Sequence, residues 1–381
     1  MNQYPPASYL YPYGPAHHEF DRPPMIPLQE AIKGYVRFKQ AKGKDSKTVS
    51  DIELSLNTLN FVRPDIQYLH QITKRLIFEY EILIAELPAN YRKTARFRNL
   101  SFEQLRVAAW EKPKLSPASL DKYTLTLRAF VSWCQDTDRM PAWKLPKFES
   151  LDKGRSKDKR HPFNAAELQK LFISPMFTGH APDLKAQYRR HEKGDYLVKD
   201  CQYWVPLIGL YTGMRLREII QLLITDVRYE GEAVYLDVNE DGDGKSLKNA
   251  SSRRQVPVHR ELIALGFLKY VGSIHAAGHQ RIFHDAPATA AGSPGDITSK
   301  RFSRYLASIG IKHKKLSFHS LRHTFIDQTA RQARLADHII KALVGHADHT
   351  ITFGTYGGRL TIGELSEAIN KISFKDIVTK E

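Results

Sequence analysis

Two short stretches of the chain each place an arginine where it could bind an anion. In HSLRHT, His319 and Arg322 are three positions apart, so on a helix they share a face and can approach one ligand from the same side. In TGMRLREI, Arg215 follows Gly213, a residue that permits a tight turn at a helix start, where free amides and the helix dipole favour an anion. A guanidinium is a planar fork of donors that stays protonated. Two guanidinium groups can therefore bind one phosphodiester together.

A third stretch, LVGHADHTITFGTYGG, carries further polar candidates near the C-terminus. His346 follows Gly345, a residue typical of helix ends, and Tyr356 comes ten residues later. The small neighbours of Tyr356 leave its hydroxyl accessible, and the two glycines after it let the backbone move it, which a core-filling tyrosine does not need. Taken singly, these residues also have structural interpretations, such as a surface ion pair between Arg215 and Glu218, a satisfied buried histidine or a packing tyrosine. In this combination and order they favour chemistry on a phosphodiester.

The composition indicates a polyanionic partner. The formal net charge is +16, and Lys and Arg that neutralise phosphates release counterions and gain affinity without reading sequence; a generic basic surface is the alternative. The two cysteines, Cys134 and Cys201, fall in different predicted domains, which fits a reducing cytoplasm rather than a disulfide framework. No apolar run approaches the roughly 20 residues that span a bilayer, and the N-terminus lacks a signal pattern. We expect a soluble intracellular protein with no membrane partner.

The pattern along the 381 residues predicts two domains. Residues 1–25 are rich in Pro and Tyr without periodicity, which is typical of a disordered or extended arm. Residues 26–141 carry four amphipathic helical patterns and are predicted to form an all-helical domain. Residues 142–161 form a basic linker, either simply solvated or following a phosphate backbone. Residues 162–381 form the second domain.

Capping residues and periodicity locate several elements within these domains. In the fourth helical pattern Ser116 is the predicted cap and Pro117 the first helical residue. The second domain opens with FNAAELQKLF, where Asn164 and Glu167 resemble a capping box. The period then switches to two at AVYLDVNE and RRQVPV, which predicts strands of a small antiparallel sheet, and helical patterns return from Ser299 onwards. The apolar positions of the four helical patterns are Leu28, Ile32, Tyr35 and Phe38; Val49, Ile52, Leu56 and Leu59; Leu76, Tyr80, Leu83 and Leu87; and Leu120, Tyr123, Leu127, Phe130 and Cys134.

Three other patterns suggest ligands but lack the necessary chemistry. DVNEDG matches the first half of a calcium loop, but its twelfth position is Lys248, where a bidentate carboxylate is needed. GDGKS resembles the end of a phosphate loop, but the first glycine of that pattern falls on Asn239. A turn between two strands explains both. Clustered histidines match no common zinc spacing and have no cysteine nearby, so we expect no metal and no cofactor. These histidines are His313, His319, His323, His346 and His349.

The chain resembles the tyrosine recombinases of the phage integrase family. The matching pieces are TGMRLRE, HSLRHT, LVGHADHTIT and TYGG, in the family's order and close to its spacing. The resemblance covers the second domain, and the helical domain before it fits the SAM-like core-DNA-binding domain of the family. It implies a mainly α protein whose α-rich catalytic domain holds a small antiparallel β-sheet, the DNA breaking-rejoining enzyme fold. Residues 1–25 do not resemble the arm-site-binding domain of larger phage integrases.

The resemblance also implies roles for individual residues. Tyr356 corresponds to the nucleophile. The family's lysine on a β-hairpin corresponds to Lys248, since KNASSRRQVPV resembles the family's lysine, basic pair and strand; Lys245, in the turn, is the alternative. Glu218 is expected to support the arginine geometry rather than to react. The phosphate-activating positions correspond to Arg215, His319, Arg322 and His346.

The implied reaction follows from these residue types. A phenol has an ordinary pKa near 10, so Tyr356 must lose its proton as it attacks phosphorus, helped by positive charge and by a base such as His319. Arg215 and Arg322 would stabilise charge on the non-bridging oxygens, and Lys248 would protonate the departing 5′ oxygen. In the family the product is a 3′-phosphotyrosyl linkage with a free 5′ hydroxyl, and the reversal needs neither ATP nor a metal.

The resemblance implies a site-specific recombinase that integrates or excises a phage or genomic island. Its expected partners are double-stranded DNA, three further copies in a homo-tetrameric synaptic complex, a directionality factor and a DNA-bending host protein. The alternatives are a catalytically silent DNA-binding regulator of the same fold and a type IB topoisomerase-like enzyme. Past the tyrosine, Leu365, Ile369 and Ile372 form an amphipathic segment that either packs on its own domain or docks on a neighbouring subunit.

Overall fold

The protein divides into two compact units in a computed structural model. The units are Met1–Lys153 and Gly154–Glu381, and each has its own hydrophobic core. Residues 1–24 of the predicted arm, Lys248 and Tyr356 lie outside the residues that the structure describes. Those described residues are 25–154, 160–182, 189–242, 244–247, 250–287, 295–313, 315–346 and 360–378.

The described part of the first unit is helical, as predicted. The fourth predicted helix begins where expected, because the side chain of Ser116 accepts a hydrogen bond from the backbone N–H of Ser119 and Pro117 fills the first helical position. Predicted apolar positions from three helices, Tyr35, Tyr80 and Phe130, are at most 2% exposed. The helices are α1 (Leu28–Ala41), α2 (Ser46–Val62), α3 (Lys74–Ala85), α4 (Phe102–Ala108) and α5 (Pro117–Asp136).

The second unit is rich in helices and opens with the predicted capping box. The backbone N–H of Glu167 donates to Oδ1 of Asn164 at 2.8 Å, and that of Asn164 donates to Oε2 of Glu167 at 3.0 Å. The described helices are α6 (Ala165–Phe172), α7 (Pro175–Thr178), α8 (Cys201–Thr212), α9 (Leu216–Ile220), α10 (Arg260–Ala264), α11 (Phe267–Ala276), α12 (Asp296–Ser308), α13 (Phe318–Arg331), α14 (Asp337–Val344), α15 (Ile362–Ile369) and α16 (Lys375–Val378).

A small antiparallel sheet lies within this unit. Its strands are β1 (Val227–Glu230), β2 (Ala233–Val238) and β3 (Arg254–Pro257), hydrogen-bonded in the order β1-β2-β3. Tyr229 pairs with Val234, and Leu236 pairs with Val256. The sequence predicted β2 and β3 but missed β1, because three of the four residues of β1 are exposed and show no apolar alternation.

The core of the second unit fixes the elements that carry the candidate site. α8 is almost wholly buried, and α13 packs so closely on it that a Cβ on Gly209 would lie 2.9 Å from Cζ of Phe318. The C-terminal segment is buried in the same core through residues such as Ile369, Ile372 and Phe374, so it packs on its own unit. Among the helices of the described ranges, none has both the length and the apolarity to cross a membrane.

Candidate active site

Arg215 lies at the start of α9, directly after the turn that ends α8. Gly213 has a φ of 66°, which glycine adopts without steric cost, and a Cβ there would lie 2.5 Å from Cδ1 of Phe325. The backbone N–H of Arg215 donates to Oε2 of Glu218 at 2.9 Å. Its Nη1 donates to Oε1 of Glu218 at 2.6 Å and to Oγ of Ser252 at 3.2 Å. Glu218 therefore holds both the backbone and the guanidinium of Arg215.

Arg322 projects from α13 towards the same turn. Its Nη1 donates to the carbonyl oxygen of Gly213 at 2.7 Å, and the residue is only 2% exposed. Its buried Nη2 has no hydrogen-bond partner among the described residues. Burial, and then repulsion from Arg215 and Arg254, lowers the pKa of Arg322 to about 9, so it stays charged at neutral pH. An unpaired buried donor is costly unless an acceptor arrives, and an anion supplies a strong one.

His346 follows the end of α14. As predicted, the helix ends at Gly345, whose φ is 69°. Partial desolvation, and then the positive charges of Arg322, Arg215 and Arg254, lowers the pKa of His346 to about 4. The ring is therefore neutral near pH 7 and can donate one hydrogen bond. Nη2 of Arg215 donates to the carbonyl oxygen of Gly345 at 3.5 Å, so Arg215 contacts the residue directly before His346.

His319 lies three positions before Arg322 on α13, on the same helix face. Its ring packs edge-on against the ring of His323, with centroids 4.8 Å apart and an angle of 90° between the planes. Burial, and then the charges of Arg322 and Arg160, lowers the pKa of His323. His319 therefore borders a ring whose protonation is disfavoured.

Glu218 is a buried carboxylate shared by two arginines. It is 4% exposed, and Arg254 Nη2 reaches its Oε2 at 2.9 Å while Arg215 binds Oε1. Burial alone would raise the pKa of Glu218, but the charge and hydrogen bond of Arg254, followed by the hydrogen bonds of Arg215, outweigh it and lower the pKa. One carboxylate among three guanidinium groups leaves an excess of positive charge, which suits a phosphodiester. The sequence shows Arg253 and Arg254 as a basic pair at the start of β3, but it does not predict Arg254 as part of this cluster.

Lys245, the alternative to Lys248, is held in a buried ion pair. Its Nζ lies 2.9 and 2.8 Å from the two carboxylate oxygens of Asp226 and also donates to Oδ1 of Asn239. The side chains of Lys245 and Asp226 are 1% and 5% exposed. These contacts fix the loop three residues before Lys248.

The described residues include no group of three or more His, Cys, Asp or Glu side chains arranged to hold a metal ion. Two carboxylates of the DVNEDG stretch have cationic partners instead. Asp237 pairs with Arg228 at 3.2 Å, and Asp241 pairs with Arg253 at 2.8 Å. The turn interpretation of this stretch is therefore the one that its contacts favour.

The chain is similar to known proteins in part of its sequence and in its fold. The model of the phage integrase family matches residues 202–359. A lambda integrase tetramer bound to a Holliday junction is similar in fold, with a TM-score of 0.54 and 15% identity over 86% of this chain and 79% of that chain. The Tn1549 transposon integrase in complex with transposon right end DNA has a TM-score of 0.53 and 15% identity over 89% of this chain and 97% of that chain. No curated protein matches the chain significantly in sequence.

The family match lies within the second unit. The chain carries a phage integrase family domain that spans most of this unit, including the positions of all four described phosphate-site candidates. The small sheet within an otherwise helical domain agrees with the predicted fold.

Proposed function

We propose that the chain is an integrase that cleaves and rejoins DNA through a 3′-phosphotyrosyl intermediate. The observation that carries this proposal is the second amino group of Arg322. It is buried and has no partner among the described residues, while Gly213 holds the first amino group in place. A non-bridging phosphate oxygen would satisfy this donor with a charge-assisted hydrogen bond. The other guanidinium charges nearby would stabilise the additional charge of the transition state.

The proposed reaction exchanges one phosphoester for another. The hydroxyl of Tyr356 attacks phosphorus and gives its proton to His319, while the bond from phosphorus to the 5′ oxygen breaks. Arg215 and Arg322 bind the non-bridging oxygens, and Lys248 protonates the departing 5′ oxygen. Because the new phosphotyrosyl ester retains the bond energy, a 5′ hydroxyl can attack it in turn and rejoin the strand.

The contacts of Lys245 support Lys248 as the acid. Moving the Lys245 ammonium to a phosphate would leave the carboxylate of Asp226 unpaired and buried, which is strongly unfavourable. The lowered pKa of His346 supports its role as a neutral donor to the same phosphate rather than as the acid that protonates the leaving group. Glu218 would act only by holding Arg215.

The proposed substrate is double-stranded DNA at the ends of a phage genome or genomic island. The net charge of +16 supports sequence-independent attraction to the duplex. We propose a homo-tetramer on two sites, with a directionality factor and a DNA-bending host protein as further partners. The similar lambda integrase structure is a tetramer on a Holliday junction, which supports this assembly by analogy.

Covalent capture tests the proposed function and selects a target site in the same experiment. The full chain is incubated with a pool of duplexes of random sequence, each nicked in one strand so that a short 5′-hydroxyl fragment is lost after cleavage. Adducts that survive denaturing electrophoresis are recovered, and the most frequent sequence becomes the capture duplex. We expect an adduct with a blocked DNA 3′ end from the unaltered chain.

The matched control is Tyr356→Phe, which removes only the attacking oxygen. We expect this variant to bind the capture duplex with unchanged affinity and to form no adduct. An adduct that persists in Tyr356→Phe would contradict the assignment of the nucleophile. Specific binding by the unaltered chain without any adduct would instead indicate a silent regulator, and relaxation of plasmids that lack the captured sequence would indicate a topoisomerase.

A further inference from the structure

Arg254 is a buried arginine that the reaction above does not use. It begins β3, and its side chain is 6% exposed. Its Nη2 donates to Oε2 of Glu218 at 2.9 Å, its Nε to the carbonyl oxygen of Leu343 at 2.7 Å and its Nη1 to that of Ser252 at 2.8 Å. Because each of its three nitrogens has an internal acceptor, the guanidinium is not directed at DNA.

The acceptors of Arg254 belong to the elements that carry the phosphate-site candidates. Glu218 is the carboxylate that holds Arg215. Leu343 lies in the last turn of α14, and the chain reaches His346 three residues later. The contact at this helix end is tight, because a Cβ on Gly345 would lie 2.8 Å from Nη1 of Arg254.

We propose that Arg254 is a positioning residue that holds two parts of the active site in fixed positions relative to each other. On one side it fixes Glu218 and, through it, Arg215; on the other it fixes the end of α14 and so His346. The inference rests on the proposed function and adds a residue to it. A lysine at this position would keep the charge but could not donate in these three fixed directions. Small displacements of catalytic groups cost far more in rate than in binding.

Arg253 provides a matched control for this proposal. It precedes Arg254 directly, but its side chain is 57% exposed and pairs with the exposed carboxylate of Asp241. The experiment compares Arg254→Lys with Arg253→Lys in the full chain on the capture duplex. The measurements are the single-turnover rate of adduct formation at saturating protein, the protein concentration that gives half of that rate, and the thermal unfolding midpoint.

We expect Arg254→Lys to lower the saturating rate by about 100-fold while the half-saturating concentration changes less than about threefold. Arg253→Lys should leave the saturating rate unchanged. A second variant, Gly345→Ala, places a Cβ against the guanidinium of Arg254 without removing its charge. It should also lower the saturating rate at unchanged affinity. If Arg254→Lys does not fold, Gly345→Ala tests the positioning role of Arg254.

Two results would overturn the inference. One is a saturating rate in Arg254→Lys or Gly345→Ala equal to that of the unaltered chain. The other is a parallel fall of rate, affinity and folded fraction, which is the signature of a purely structural residue. Failure of the proposed function is distinguishable, because the unaltered chain and Arg253→Lys would then form no adduct either.

Discussion

Replacement of Lys245 by methionine separates a structural lysine from a catalytic one. In the structure Nζ of Lys245 contacts both carboxylate oxygens of Asp226, at 2.9 and 2.8 Å, with only 1% of the lysine side chain exposed. Removal of one partner of a buried ion pair costs about 3–5 kcal/mol of unfolding free energy, because the other charge is left unpaired. Asp226 would keep hydrogen bonds from the backbone N–H of Leu223 and from Nδ2 of Asn239. We therefore expect a loss near the lower end, about 3 kcal/mol.

Thermal unfolding of the full chain measures this loss. For a unit of this size, about 3 kcal/mol corresponds to a fall of roughly 6–12 °C in the unfolding midpoint. Below that midpoint, Lys245→Met should still form adduct at saturating protein. The matched variant Lys248→Met should unfold at the unaltered temperature but form adduct about 100- to 10,000-fold more slowly, because it lacks the general acid.

A modified substrate separates loss of the acid from other defects. If sulfur replaces the 5′ bridging oxygen, the leaving group no longer needs a proton, so this duplex should restore adduct formation by Lys248→Met. The reasoning is refuted if Lys245→Met unfolds at the unaltered temperature, and also if Lys245→Met is the variant that the sulfur substrate rescues.

Three further predictions concern the phosphate site and the turn beneath it. Arg322→Lys should lower the single-turnover rate of adduct formation by about 100- to 1000-fold with little loss of DNA affinity, because the other Lys and Arg side chains supply that affinity. An equal loss of rate and affinity would indicate a structural role for Arg322. NMR titration of the DNA-free protein should give the ring of His346 a midpoint near pH 4. The unfolding free energy should fall as the pH drops from about 6.5 to 4, because in this range only the unfolded state takes up the proton. A midpoint near pH 6.5 would contradict the site geometry. In urea unfolding, Gly213→Ala should destabilise the protein by about 1–3 kcal/mol more than Gly231→Ala. Both glycines have a positive φ, but only at Gly213 would a Cβ clash with the ring of Phe325. Equal losses of stability in the two variants would contradict the packing of the turn.

Local signals in the sequence were sufficient to predict many elements of the fold. The start of α5 follows from Ser116 and Pro117, and the end of α14 follows from Gly345, because caps depend on a few adjacent residues. β1 was not predictable in this way, since it is a short edge strand of mostly exposed residues. Its pairing with β2 decides its structure.

Several residues of the candidate site stand out in the sequence, but their contacts do not. Arg215, Glu218 and the His319–Arg322 pair stand out by type and spacing, because each lies within one helical turn of its partner. Arg254 was missed because two of its three acceptors, Glu218 and Leu343, lie 36 and 89 positions away along the chain, and only the tertiary fold brings them into contact. The choice between Lys245 and Lys248 likewise depends on burial, which no local pattern reports.

The central claim is that Tyr356 becomes covalently attached to the 3′ end of DNA. The most direct test is mass spectrometry of the adduct formed with the capture duplex, after nuclease treatment and tryptic digestion. Residues 342–359 form one tryptic peptide with a single tyrosine, Tyr356. We predict that this peptide carries a nucleotide joined through its 3′ phosphate to the phenol oxygen. A nucleotide on any other residue, or one joined through a 5′ phosphate, would contradict the account.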